Sequence, residues 1–204
     1  MEEKDTYKTI TKPSEEVLFK DRNSKFLGYA FPVTTEEEVK EHLEELKKQH
    51  HTAGHFCYAY QFGTDEKNLT YRANDDGEPN NSAGMPIYGQ IQSFEFTNIL
   101  IIVLRYYGGV KLGVGGLINA YRTTAQLALE ASKIVKKTIN IEYCISFEYK
   151  NMNKVMRIIK EKNLNVTNQI LELDCKVFIS VRKSKSQEIF ETFDNLFEIK
   201  IIEV

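Results

Sequence analysis

From Ile139 to Val204 the spacing of apolar residues switches between two and about 3.6 in a fixed order, and few folds satisfy that order. Ile139, Ile141, Tyr143, Ile145 and Phe147 alternate with polar residues, as in a half-buried strand. Met152, Val155, Met156 and Ile159 then share one helical face that ends at Lys162-Asn163. Val166, Ile170 and Leu171 introduce a second strand. Cys175, Val177, Ile179 and Val181 alternate through a third, after a tight Leu173-Asp174 turn. Ser184 or Ser186 is placed to cap a helix carrying Ile189, Phe190 and Phe193, and Phe197, Ile199 and Ile201 close with a strand. The predicted order is βαββαβ, the ferredoxin-like or split βαβ arrangement, in which two helices cover one sheet face and leave the other free. This segment holds 10 basic and 10 acidic side chains, so it is neutral.

The preceding residues also mix strands and helices, which predicts an α+β chain of two domains, 1–137 and 138–204. Val17 to Phe31 reads as two strands around the Asp21-Arg22-Asn23-Ser24 turn. Thr35 with Glu38 is a capping box ahead of a helix whose inner face is Val39, Leu43 and Leu46. Phe56 to Phe62 and Leu69 to Ala73 form another strand pair. A loop from Asn74 to Gly84 leads to a short helix predicted from Pro86 through Ile87, Ile91 and Phe94. Ile99 to Arg105 is a continuous apolar run, the mark of a strand buried on both faces. A glycine-rich loop follows it, and helical spacing is predicted from Leu117 to Val135, with Lys133, Lys136 and Lys137 at its C-terminal end.

Composition narrows the function classes. A chain of 204 residues with 42% hydrophobic and 11% aromatic residues has enough apolar surface for one large or two compact cores, which excludes a disordered chain. Its apolar runs fall far short of the roughly 20 residues of a membrane span. The acidic start, Met1-Glu2-Glu3-Lys4-Asp5, is unlike a signal sequence, so a cytoplasmic protein without membrane contact is expected. A net charge of −2 means that any contact with nucleic acid is local rather than drawn by a global field. Cys57, Cys144 and Cys175 are widely spaced and form no CxxC pair, so each is expected to fill space.

Several residues are candidates for chemistry. Gly108, Gly109, Gly113, Gly115 and Gly116 lie between a strand and a helix, the usual setting for backbone N–H groups that meet an anion. Neither GxGxxG nor GxxxxGK[ST] is completed, and glycines in such a loop also serve a tight crossover and close packing, so both readings stay open. Asp75, Asp76 and Glu78 place three carboxylates in one turn, as a hard-metal or acid–base site does and as a plain Asp-rich turn does. Arg105 is suited to pair with these acids or to grip a phosphate, and Lys111 lies inside the glycine loop. His50, His51 and His55 do not make the HExxH spacing of a zinc protease. His55 and Cys57 share a strand face but have no identifiable third partner. No catalytic residue, metal ligand or cofactor is assigned on these grounds. Tyr106 and Tyr107 beside Arg105 are either base-stacking platforms or core aromatics.

Taken together, some of these residues spell a known pattern. DDGEP at Asp75 to Pro79, Ala83-Gly84, RYYGGVKLGVGGL from Arg105 to Leu117 and Ala120-Tyr121, with SKFLGYAFPV from Ser24 to Val33 and HTAGHFCYAY from His51 to Tyr60, resemble the IMPACT family in its bacterial, YigZ-like branch. The resemblance covers most of Ser24 to Tyr121. It implies an N-terminal domain with a left-handed βαβ crossover, like the fourth domain of elongation factor G, and a ferredoxin-like C-terminal domain like that factor's last. It further implies translation-associated regulation with RNA or the ribosome as partner, and it carries over no catalytic activity. The eukaryotic members act on a starvation-kinase pathway through an additional N-terminal domain, which the 23 residues before Ser24 are too few to supply, so that partner does not carry over with the resemblance. Two departures stand out: Asn80-Asn81-Ser82 replaces a common Ser-Gly-Thr, and Asn119 replaces the usual arginine of GGLxRAY, removing a charge-assisted donor.

The leading expectation is a non-enzymatic module that binds RNA or the ribosome through the glycine-rich loop. The first alternative is a metal-dependent enzyme in which Asp75, Asp76 and Glu78 hold a divalent ion and the loop holds a substrate phosphate. The second is an adaptor that docks a protein on the free sheet face of the C-terminal domain.

Overall fold

The apolar run centred on Ile102 organises the first half of the molecule. The computed structural model describes residues 5–64 and 68–204, so the acidic opening at residues 1–4 lies outside it. Its described residues fall into two compact units, Tyr7–Lys137 and Thr138–Val204, the latter joined by Asp5 and Thr6.

In the Tyr7–Lys137 unit, β1 (Thr6–Ile10), β2 (Val17–Asp21) and β3 (Ser24–Pro32) precede α1 (Glu36–Gln49). There follow β4 (His55–Phe62), β5 (Thr70–Asn74), α2 (Gly84–Ser93), β6 (Ile99–Tyr106), α3 (Gly113–Glu130) and β7 (Ile134–Thr138). Five of these strands form an antiparallel sheet in the order β2-β3-β6-β4-β5, which puts the apolar run at its centre. Ile99 to Leu104 are fully buried because both sheet faces are covered. Ile99, Ile101 and Val103 pack with Ile87 and Ile91 of α2 and Tyr121 and Ala125 of α3. Leu100, Ile102 and Leu104 pack with Val39 and Leu46 of α1.

The ends of the helices show what neighbouring residues decide. α1 begins with the expected box: the Thr35 hydroxyl accepts the Glu38 N–H, and the Glu38 carboxylate accepts the Thr35 N–H. α2 starts two residues before Pro86, which sits in the first turn where its missing N–H costs no hydrogen bond. α3 stops at Glu130 instead of running to Val135. Beyond it, Ser132 turns its hydroxyl back onto the Ala128 carbonyl, and the β-branched pair Ile134-Val135 joins a strand beside β1. Lys136 and Lys137 therefore lie on a strand and not at a helix end.

The second unit runs β8 (Asn140–Glu148), α4 (Met152–Glu161), β9 (Asn165–Ile170), β10 (Asp174–Arg182), α5 (Lys183–Asp194) and β11 (Ile199–Glu203). The βαββαβ order is present, and the sheet order is β11-β8-β10-β9 with every neighbour antiparallel. Val155 and Ile159 of α4 join Ile189 and Phe193 of α5 over Tyr143, Ile145, Phe147, Val177 and Ile179. Neither Ser184 nor Ser186 is the cap of α5. Arg182 holds the cap position without a side-chain bond to the helix, and Ser186 donates to the Lys183 carbonyl within the first turn. Cys57, Cys144 and Cys175 are free and buried, as space fillers are. No helix among the described residues is long and apolar enough to cross a membrane.

Candidate functional site

Antiparallel register sets the first residues of the site. Phe26 of β3, Arg105 of β6 and His55 of β4 stand side by side across the sheet, so their side chains share the face covered by α2 and α3. Tyr106, one residue on, points to the opposite face, where its hydroxyl lies 2.9 Å from His50 Nδ1. His50 Nε2 in turn lies 2.9 Å from the Tyr29 hydroxyl, which donates to Glu16. Tyr107 follows the end of β6 and is 55% exposed. The two tyrosines that look equivalent in the sequence thus lie in different environments.

The acidic turn is built into the fold. Asp75 Oδ1 accepts the N–H groups of Ala83 and Gly84 at 2.9 and 2.8 Å, and its Oδ2 accepts that of Asn81 at 2.8 Å. Asp75 therefore caps α2 from a distance, a task the formal cap residue, Ala83, has no side chain to perform. Asn81 has φ 61°, a left-handed conformation at the position where the motif commonly has glycine, and asparagine is among the residues that accept it most readily. Asp76 Oδ2 accepts the Phe56 N–H at 2.6 Å. Its carbonyl lies 2.7 Å from His55 Nδ1; a carbonyl only accepts, so Nδ1 carries the proton and Nε2 is left as the ring nitrogen facing Glu78.

Glu78 takes the most buried position of the turn. Its Oε1 accepts Arg105 Nη1 at 2.6 Å and the Tyr121 hydroxyl at 2.8 Å, and lies 4.0 Å from His55 Nε2. The side chains of Glu78 and Arg105 are 4% and 7% exposed. Burial, reinforced by Cys57 and Glu78, drives the Tyr121 hydroxyl far above its ordinary pKa, so it remains a donor. Burial also pushes the Cys57 thiol up, and its S–H donates to the Asp75 carbonyl. A thiol held protonated in this way does not act as a nucleophile with His55.

These bonds separate the candidates. The carboxylates of Asp75 and Asp76 are taken by backbone amides and that of Glu78 by Arg105, so the three do not converge on an open point. No group of three or more His, Cys, Asp or Glu able to hold a metal ion occurs among the described residues. Asp75 Oδ1 and Oδ2, Asp76 Oδ2 and Glu78 Oε1 are thus all engaged within the fold. Arg105 is likewise a neutralised cation and not a free one.

The glycine-rich loop divides in two. Gly108 is sealed, since a Cβ there would meet the Asn23 backbone at 2.1 Å, and its N–H reaches Ser24 Oγ. Gly109, Gly113 and Gly115 face open space, and Gly113 has φ 73° as the chain turns into α3. Gly116 packs on Leu112. The α3 N-terminus has no side-chain cap and no acidic residue in its first turn. Lys111 beside it is exposed and has no ion-pair partner among the described residues. Its carbonyl accepts from Arg22, at 3.4 Å. A cavity of about 520 Å³ opens between this turn and the acidic cluster, lined by His55, Glu78, Arg105, Tyr107, Lys111, Gly113 and Val114. Asn119 is exposed on the flank of α3.

Tyr121 stands in the sequence only as part of the Ala120-Tyr121 motif, and its role as a hydrogen-bond donor to Glu78 emerges only when α3 packs over the acidic turn. Tyr106 and Tyr107 likewise stand undivided in the sequence, although the alternation of β6 separates them. In the C-terminal sheet, the side opposite α4 and α5 carries Ser146, Lys176, Phe178, Lys200 and Ile202, a mixed surface with no polar cluster comparable to the one under α3.

Comparison with known proteins follows the same residues. The Impact N-terminal domain family matches residues 22–129. IMPACT family member YvyE of Bacillus subtilis (strain 168) is 33% identical over 76% of this chain and 70% of its own length. IMPACT family member YigZ of Escherichia coli (strain K12) is 29% identical over 79% of this chain and 77% of its own. A crystal structure described as that of a hypothetical protein has a TM-score of 0.74 at 23% identity, covering 98% of both chains, a likeness of fold.

Proposed function

Because this chain belongs to the IMPACT family, with bacterial YigZ among its relatives, we propose that it is a translation-associated regulator that binds RNA, free or within the ribosome, at the start of α3. The observation that carries this reading is the uncapped N-terminus of α3 beside an exposed Lys111. The first N–H groups of a helix have no intrahelical partner, and the helix dipole adds partial positive charge there. A phosphate at Gly113, Val114 and Gly115 meets those donors and the Lys111 ammonium together. Gly109 and Gly115 leave room for its approach, and Arg105, tied to Glu78, supports the cavity from beneath. With a net charge of −2 the chain has no other general attraction to nucleic acid, so the contact is local.

The same reading takes residues 1–137 as a domain of the left-handed βαβ type found in the fourth domain of elongation factor G, and residues 138–204 as a counterpart of that factor's last domain. Both positions in that factor face the ribosome, which favours ribosomal RNA as the partner. Binding to ribosomes and to isolated RNA, measured across a salt series, tests it. Affinity is expected to fall with salt, and Lys111→Ala to flatten the log–log slope by roughly one unit. Sedimentation with ribosomes that responds neither to salt nor to Lys111→Ala overturns the reading.

A further inference from the structure

We infer that the cavity beneath α3 takes one unstacked nucleotide of single-stranded RNA, with its phosphate at the α3 N-terminus and Lys111 and its base on the ring of Tyr107. This rests on the RNA-binding reading above and narrows it to a class of RNA. Three observations beyond the helix terminus carry it.

The first is Tyr107 itself. A large aromatic ring that is 55% exposed at the rim of a cavity is an uncovered apolar surface. The Arg105 guanidinium lies over this ring at 5.3 Å from its centroid and over Phe26 at 5.6 Å, so the ring is braced from one side while its other side is left to solvent. A braced ring loses little freedom when a base stacks on it, and such stacking is tolerant of base identity.

The second is an unmet donor. Arg105 gives Nη1 to Glu78, but its Nε–H has no partner among the described residues although the side chain is only 7% exposed. A buried donor without a partner, on a side chain that lines a mostly apolar cavity, is a position for an acceptor, which phosphate, ribose and base oxygens all supply. His55 lines the same cavity and adds a second polar group within it.

The third is size. A volume of about 520 Å³ lies within the range of small-ligand sites, and the cavity opens to solvent with a mostly apolar lining that suits the face of a base out of its stack. A duplex keeps its bases inside and reaches only Lys111 and the helix terminus through its backbone phosphates.

Fluorescence anisotropy on the full chain tests this, with a short unstructured RNA strand and the same strand annealed to its complement. The single strand is expected to bind about 10-fold more tightly or better. Tyr107→Ala is expected to weaken single-strand binding by roughly 5- to 100-fold with the salt slope retained, while Tyr107→Phe stays near the parent protein. Thermal melting of both variants checks that this exposed position leaves the fold intact. Equal affinity for strand and duplex, with Tyr107→Ala neutral and Lys111→Ala still flattening the slope, overturns the nucleotide site and leaves phosphate binding standing. Absence of salt-dependent binding to either RNA overturns both.

Discussion

Glu78 and Arg105 form an ion pair taken almost wholly out of water, and at the scale of single residues this pair decides what the acidic turn is for. Burying two charges costs several kcal/mol in desolvation, which is recovered only with good geometry and further hydrogen bonds. Here the separation is 2.6 Å and the Tyr121 hydroxyl supplies another bond to the same oxygen. Removing one partner leaves the other charge buried and alone. Glu78→Ala is therefore expected to lower unfolding stability by about 3–5 kcal/mol, while the volume-matched double change Glu78→Leu with Arg105→Met recovers most of the loss, both read from urea titrations. If Glu78→Ala proves neutral, the pair is not structural and the carboxylate is free for a ligand after all. Asp75 follows the same logic without a charged partner, since three backbone amides fix it as the cap of α2.

At the scale of elements, helix starts separate the structural from the functional. α1 closes its own start: the Glu38 N–H bonds the Thr35 hydroxyl, and the N–H groups of Thr34 and Thr35 just ahead of the helix bond the Glu38 carboxylate, which lowers its pKa below the ordinary glutamate value. A carboxyl depressed in the folded state contributes stability above its unfolded pKa, near 4.3, and loses it as pH falls through the folded value. Glu38→Gln should thus lower the melting temperature slightly at pH 7, by the equivalent of about 0.5 kcal/mol, with the difference from the parent protein shrinking as acid protonates the Glu38 carboxylate. A gap that persists in acid would falsify the electrostatic part of this cap. α3 has no such device: its cap residue is Leu112 and its first turn is Gly113, Val114 and Gly115. An 18-residue helix with an open N-terminus keeps its dipole available to a ligand, which is why the anion site is argued there and not at α1 or α2.

For the molecule as a whole, charge balance and topology set the limits. A chain of net charge −2 that meets RNA through Lys111 and a helix terminus neutralises few phosphates, so the log–log salt slope of the parent protein should lie between about −1 and −3. A slope steeper than about −5 would mean that many cations elsewhere engage and that the site is misplaced. Much of the architecture was legible from pattern. The period of two and 3.6 marked βαββαβ after Ile139, and the run from Ile99 marked a strand covered on both faces, because burial repeats with the geometry of each element. The β1–β7 pairing was not legible, since a short partly exposed strand has no periodicity to betray it and its partner lies more than a hundred residues away. Nor was the sorting of Asp75, Asp76, Glu78, Lys111 and Tyr107. Local sequence determined which residues favour turns, strands and helices and brought the glycines to a helix start, through steric and covalent preferences that act over a few residues. Which carboxylate meets which amide, which cation is neutralised and which of two adjacent tyrosines is left open depended on side chains from β3, β4, β6, α2 and α3 meeting across the sheet, and desolvation energies are set only once those surfaces close on one another.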